Sequence, residues 1–236
     1  MSRVFLTGDI HGNISRLLKW DTGKFLDKTD YLIVLGDFGL IFRIDSDGIL
    51  EEIEKIKQLE ALPFTILFID GNHENFDRLL SDFKSVKLLG GNAHKISDSI
   101  YHLKRGEIFT INDKTFLTMG GATSIDRSFR IQGVDWWEQE NLSHKDIKRG
   151  ISNADKLGKR IDFVLTHAAP ESMAESLIFR VNHQYFYNND SNSLLLRDLS
   201  MDVKWNQWYF GHYHCNYKCQ KERWTALYDN IIELDM

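Results

Sequence analysis

Val4-Phe5-Leu6-Thr7-Gly8-Asp9-Ile10-His11-Gly12-Asn13 sets a short apolar run directly against a turn that carries donor side chains. The design recurs four times. Tyr31 to Leu35 ends at Gly36-Asp37, and Phe64 to Ile69 ends at Gly71-Asn72-His73-Glu74. Phe163-Val164-Leu165 ends at Thr166-His167, and Trp208-Tyr209-Phe210 ends at Gly211-His212-Tyr213-His214. A strand buried on both faces reads as a continuous apolar run of roughly 4–8 residues. Functional groups of an α/β sheet collect just beyond the carboxyl ends of such strands. The runs therefore predict an α/β chain whose functional residues converge from distant points.

The strand ends carry seven oxygen or nitrogen donors: Asp9, His11, Asp37, Asn72, His167, His212 and His214. Asp9 and His11 are two apart, as are His212 and His214, and in extended backbone such pairs point to one side. Glycines beside them permit sharp turns and close approach of backbone to an ion. Two four-ligand sites need eight contacts, so one carboxylate must bridge, and the two oxygens of Asp37 suit it to that place. Carboxylate, amide and imidazole donors without thiolates suit manganese, iron, zinc or nickel. Two divalent or trivalent ions roughly 3.5–4 Å apart clamp the attacking and leaving oxygens of an in-line displacement at phosphorus. A water shared between them would lose a proton near neutral pH and become the nucleophile.

At 236 residues the chain can bury a full core and is expected to form a single domain over 1–236. Two prolines and an ordinary charged fraction of 27% give no sign of a linker or disordered tail. The apolar runs fall short of the ~18 residues of a membrane helix, and Met1-Ser2-Arg3 leads straight into a strand, so the expected compartment is the cytoplasm. A net charge of −5 argues against a broad nucleic-acid surface. Cys215 and Cys219, if on one strand, stand roughly 13 Å apart, too far for a disulfide, and read as same-face packing residues in a reducing compartment.

Between the motifs, Ile14 to Trp20 and Phe76 to Phe83 predict short helices. Asp45 to Leu62 carries Ile49, Leu50, Ile53, Ile56 and Leu59 as a core-facing helical stripe. Lys95 to Met119 predicts short strands with a hairpin corner at Ile111-Asn112-Asp113-Lys114. Ser143-His144-Lys145-Asp146 predicts a capped helix running to about Leu157. Tyr217 to Gln220, Trp224 to Tyr228 and Ile231 to Leu234 predict a closing antiparallel meander. Mixed strands in two blocks with helices outside predict two β-sheets packed face to face, a four-layer α/β/β/α sandwich.

Two segments are candidates to shape a pocket. Gly120-Gly121-Ala122-Thr123-Ser124-Ile125-Asp126-Arg127 continues through Arg130 to Trp136-Trp137. Arginine matches phosphate bidentately, so Arg127 and Arg130 are candidate substrate-binding residues. Trp136 and Trp137 either stack on an organic group or plug the loop against the core. Glu171 to Asn189 begins beside His167 and carries Phe179, Arg180, His183, Tyr185, Phe186 and Tyr187; it reads as a lid or a dimer contact.

The ordered set G-D-x-H-G, G-D, G-N-H-E, H and G-H-x-H, from Gly8 to His214, resembles the calcineurin-like metallophosphoesterase superfamily, in particular its small bacterial and phage members. The resemblance implies the four-layer sandwich and hydrolysis of phosphomonoesters or phosphodiesters at a dinuclear, commonly manganese, centre. Position by position it implies one ion on Asp9, His11, Asp37 and His214, and another on Asp37, Asn72, His167 and His212. His73 matches the family histidine that protonates the leaving alkoxide or holds a phosphate oxygen. Implied substrates are a phosphorylated small molecule, a nucleotide or a phosphoprotein, with no membrane partner. Nucleic-acid or cyclic-nucleotide phosphodiester cleavage and serine/threonine-type protein phosphatase activity are the alternatives. A non-catalytic scaffold fits least, because such decay removes ligands and none of the seven is missing. The protein phosphatases extend the second motif as G-D-x-x-D-R-G; here Leu40 and Ile41 stand at the aspartate and arginine. Asp70 or Glu74 would then have to orient His73, and Arg43, Arg127 or Arg130 to bind phosphate.

Overall fold

A computed structural model describes residues 1–158, 160–181 and 190–236. The five motif strands form as expected: β1 (Val4–Thr7), β2 (Tyr31–Leu35), β3 (Thr65–Ile69), β9 (Ile161–Thr166) and β10 (Trp205–Phe210). Between them run β4 (Lys84–Leu88), β5 (Gly91–Lys95), β6 (Ile100–Leu103), β7 (Ile108–Ile111) and β8 (Lys114–Met119). The chain closes with β11 (Tyr217–Cys219), β12 (Trp224–Ala226) and β13 (Ile232–Glu233). One sheet has the order β13-β1-β2-β3-β6-β5-β4 and the other β11-β12-β10-β9-β8-β7. β1, β2 and β3 pair in parallel, as do β8, β9, β10 and β12. Parallel pairing puts the carboxyl ends of the motif strands at one end of each sheet.

Alternation along each strand assigns the layers. Leu32 and Val34 of β2 join the helix-side cluster, while Ile33 and Leu35 face the opposite sheet. Val164 of β9 packs on the outer side and Leu165 on the inner. The first sheet is covered by α1 (Ser15–Leu18), α2 (Ser46–Glu60) and α3 (Phe76–Ser81). The second is covered by α4 (His144–Leu157), α5 (Glu171–Val181) and α6 (Ser191–Asp202). Phe116, Phe163, Leu67 and Ile69 fill the layer between the sheets. This is the expected four-layer sandwich.

Local signals hold at the caps and turns. Ser143 and Asp146 form a reciprocal capping box at α4. The β7–β8 corner turns through Asn112 and Asp113, both at positive φ, the conformation a two-residue hairpin requires.

The structure departs from the sequence reading at several points. The α2 stripe is shallower than its periodicity suggests: Leu59 is buried, but Leu50 and Ile53 are 63% and 41% exposed. The β4–β5 hairpin was not anticipated, because Lys84, Lys87 and Asn92 break the apolar alternation; β4 is an exposed edge strand whose lysines guard it against pairing. Helix α6, capped by Asp190, was not anticipated either. The closing strands are no meander: β11 and β12 pair antiparallel, but β13 crosses to the other sheet beside β1. The crossing is fixed where Gly8 donates its amide to the Tyr228 carbonyl at 3.1 Å. Cys215 lies before β11 rather than on it; it is half-buried, Cys219 is buried, and both thiols are free and pack on the outer cluster of the second sheet. Of Glu171–Asn189, residues 182–189, including His183, Tyr185, Phe186 and Tyr187, lie outside the described residues.

Beside the site, buried Asp70 accepts hydrogen bonds from Arg105 Nε at 2.8 Å and Nη2 at 2.5 Å and faces His102 Nε2 at 3.0 Å. Burial opposes its charge, but Arg105 and His102 outweigh that and hold the carboxyl well below the usual range. A depressed folded pKa means the contribution is present above ~3.9 and is lost as pH falls through the folded value. Asp70→Asn removes the counter-charge of Arg105, whose guanidinium keeps the carbonyls of Gln139, Glu140 and Asn141 as acceptors, and is expected to cost about 1.5–3 kcal/mol in urea unfolding at pH 7. A loss under ~1 kcal/mol would show the pair to be dispensable.

Candidate functional site

The motif loops meet where the carboxyl ends of the two sheets face each other. His167, after β9, brings Nδ1 to 2.7 Å from the carbonyl of Leu35 in β2. His212, after β10, donates its amide to Asp9 Oδ1 at 3.0 Å. Trp208 Nε1 donates to Thr166 Oγ1, which donates to the Ala168 carbonyl, fixing the turn that carries His167. Arg16 donates to the carbonyls of Gly8, Asp9 and Tyr228 and fixes the first loop.

The paired donors converge by another route than extended alternation. β1 stops at Thr7 and β10 at Phe210, and His11, Asp37, His212 and His214 all have positive φ. Non-glycine residues rarely adopt that region, at a cost of about 1–2 kcal/mol each. Tight left-handed turns, not strand pleat, aim these side chains.

Asp9, His11, Asp37 and His214 bring donor atoms within 4.8 Å of one another. His11 Nε2 and His214 Nε2 stand 3.0 Å apart, and His214 Nε2 lies 3.1 Å from Asp9 Oδ2. Asp37 Oδ2 is 3.7 Å from His11 Nδ1, whereas Oδ1 is 3.2 Å from His167 Nε2. The same Oδ1 accepts the amides of Asn72 and His73, each at 2.9 Å. The His167 and His212 rings are 5.0 Å apart. The carboxylate of Asp37 thus turns one oxygen toward each group of partners.

The donor set fits cations on independent grounds. Asn72 Oδ1 is buried without a hydrogen-bond partner, and the buried Asp9 Oδ2 and His167 Nε2 face only other members of the donor set, His214 Nε2 and Asp37 Oδ1; such atoms are costly unless something else satisfies them. Because a carbonyl only accepts, Leu35 fixes the proton of neutral His167 on Nδ1 and leaves the Nε2 lone pair facing Asp37. Burial disfavours charge on His167, yet Asp37 and Asp9 push its pKa up to about 10: the two carboxylates demand a positive charge there. Burial and the neighbouring His167 push His212 down to about 4, leaving it a neutral donor. Gly71 makes the room, since a Cβ there would fall on Asp37 Oδ1 and near His167 Nε2.

His73 is half-buried, with its ring 4.8 Å from that of His11 and 5.9 Å from that of Phe42. Burial lowers its pKa against the pull of Asp37. Neither Glu74 nor Asp70 orients its ring. Glu74 is spent on backbone, accepting from the amides of Phe38, Gly39 and Gly71, and Asp70 is held by Arg105 and His102. Arg43 pairs with Asp45 at the start of α2. Leu40 and Ile41 are packed in the helix-side core.

In the loop after β8, Arg130 is close enough to His73 and Glu140 for its charge to act on both, while it is tied to Asp126 at 2.8 Å and the Asp135 carbonyl at 3.0 Å. Arg127 is exposed and acts on Glu140. Trp137 takes the plugging role: it is buried against Phe42 and donates Nε1 to Asp77. Trp136 is half-buried. Sequence reading missed Ser124 and Glu140. Ser124 Oγ lies 3.3 Å from Asn72 Nδ2, and both its amide and its hydroxyl donate to buried Glu140. No local pattern links residues so spaced.

The chain belongs to the calcineurin-like phosphoesterase family, whose model matches residues 2–216. Its acid–imidazole cluster of Asp9, His11, Asp37 and His214 is a set of residues that could hold a metal ion. Among solved structures it is similar to a Staphylococcus aureus protein assigned as a 5'-nucleotidase, at 15% identity and a TM-score of 0.52. That match covers 96% of this chain and 48% of the other, so this chain spans about half its length. A phosphopantetheinyl hydrolase from Mycobacterium tuberculosis matches at 13% identity and a TM-score of 0.42, covering 96% of this chain and 89% of that one. No curated protein matches the chain. Among the described residues no helix is long and apolar enough to cross a membrane.

Proposed function

We propose that the chain is a single-domain, cytoplasmic phosphoesterase that works with two metal ions, manganese first among them. Asp9, His11, Asp37 and His214 would hold one ion, and Asp37, Asn72, His167 and His212 the other. The observation that carries this reading is the split carboxylate of Asp37, flanked by the partnerless Asn72 Oδ1 and by Asp9 Oδ2 and His167 Nε2, whose near neighbours are other members of the donor set. Ions bound there supply Lewis-acid charge at a phosphoryl oxygen and lower the pKa of a water nucleophile. The chain's own groups do the rest. The amides of Asn72 and His73 hold Asp37 in place. His73 meets the substrate at a phosphate oxygen or gives a proton to the leaving oxygen. Arg130, and Arg127 at the rim, add positive charge for a phosphate. The buried Leu40 and Ile41 leave no acid–arginine pair of the protein-phosphatase kind in the second motif, which favours phosphorylated small molecules and nucleotides over phosphoproteins.

The test is turnover of p-nitrophenyl phosphate and bis-p-nitrophenyl phosphate with manganese, before and after chelation. Expected is hydrolysis of at least one ester, lost on chelation and restored by manganese. Metal-loaded protein that turns over neither ester contradicts the proposal.

A further inference from the structure

Asn72 is the weak point of any such site, because an amide has two ends of similar shape and only the oxygen can ligate a cation. Rotating the amide by half a turn would aim an NH2 group at the ion. Something must fix which end faces inward. Asn72 Oδ1 is buried without a partner, whereas Nδ2 faces Ser124 Oγ at 3.3 Å. Ser124 is itself constrained. Its backbone amide donates to Glu140 Oε1 and its hydroxyl to Glu140 Oε2, both at 2.7 Å. Ser124 and Glu140 are 2% and 0% exposed, so water does not compete. The only hydroxyl proton of Ser124 is committed to Glu140, and its oxygen offers Asn72 lone pairs alone. The reversed amide would set oxygen against oxygen, a buried repulsion.

We infer that Ser124 and Glu140 are positioning residues that polarise the Asn72 amide and so set the affinity of the ion that Asn72 ligates. This rests on the two-ion reading above. Outer partners of metal ligands act in this way, and losing one costs about 10–100-fold in metal affinity. The direction of the chain is the informative part. In Glu140→Gln the amide of Ser124 still needs an acceptor, so the Gln oxygen takes that place and the Gln NH2 turns to Ser124 Oγ. The hydroxyl proton is then released toward Asn72 and favours the wrong end of its amide. One atom changed two residues away should therefore weaken an ion that Glu140 never touches.

The experiment titrates metal-free protein with manganese by calorimetry and counts bound ions. Wild type is expected to bind two. Ser124→Ala and Glu140→Gln should keep the ion held by Asp9, His11, Asp37 and His214 within about twofold and weaken the other by about 10–100-fold. Ser124→Thr, which keeps the hydroxyl, should restore it. Two wild-type ions with both variants unchanged would overturn this inference and leave the two-ion reading intact. A single wild-type ion would overturn both. Equal weakening of both ions in Ser124→Ala and Glu140→Gln, unrelieved in Ser124→Thr, would make the contact a general packing element and overturn the inference as well.

Discussion

Asp37→Asn is expected to lose both metal ions and to slow ester hydrolysis by about 10³-fold or more, at least the cost of removing one preorganised charge-stabilising group. The substitution is nearly isosteric and its orientation is predetermined. The amides of Asn72 and His73 both donate to Asp37 Oδ1, so the new side chain must keep its oxygen there. Its NH2 then replaces Oδ2, the atom 3.7 Å from His11 Nδ1. One ion faces a donor that cannot ligate, and both lose the shared negative charge. Because the backbone contacts survive, the fold should persist, with loss of function separable from loss of structure by an unchanged circular-dichroism spectrum. Metal analysis after manganese loading, alongside the rate, checks it. Retention of two ions per chain would show that Asp37 does not bridge.

His73→Ala should separate substrates by leaving group. Proton donation contributes about 10²–10⁴-fold when the leaving oxygen is basic and little when it is not. Turnover of an alkyl phosphate should fall by that order, and turnover of p-nitrophenyl phosphate by much less. The ring is placed for such a role: it is half-buried, lies 4.8 Å from the His11 ring, and is not held by Glu74 or Asp70. Losses of equal size on both esters would assign His73 to holding a phosphate oxygen in every substrate.

The sandwich was legible because β1, β2 and β3 are buried on both faces, and burial on both faces writes itself into the chain as unbroken apolar runs. Val4 to Leu6, Tyr31 to Leu35 and Phe64 to Ile69 could be little else. The edge of the sheet was not legible for the converse reason: Lys84 to Leu88 is exposed and carries no such mark. The α2 stripe misled because periodicity reports amphipathicity, not depth. At the site, the identities of the donors stood out by their place after strands, but the means of convergence did not. Left-handed turns at His11, His212 and His214 are choices of backbone that histidine does not advertise. The partners of the donors were hidden too. Glu74 was visible in G-N-H-E, yet its use as an acceptor for three backbone amides depends on how two loops stack. Glu140 reaches Asn72 only through Ser124, across a separation that no spacing rule covers.

Anomalous diffraction from crystals soaked in manganese, recorded above the manganese edge, locates the bound cations directly. Two peaks sharing Asp37 are expected, one among Asp9, His11 and His214 and the other among Asn72, His167 and His212. A single peak, or peaks held by other residues, would contradict the two-ion reading.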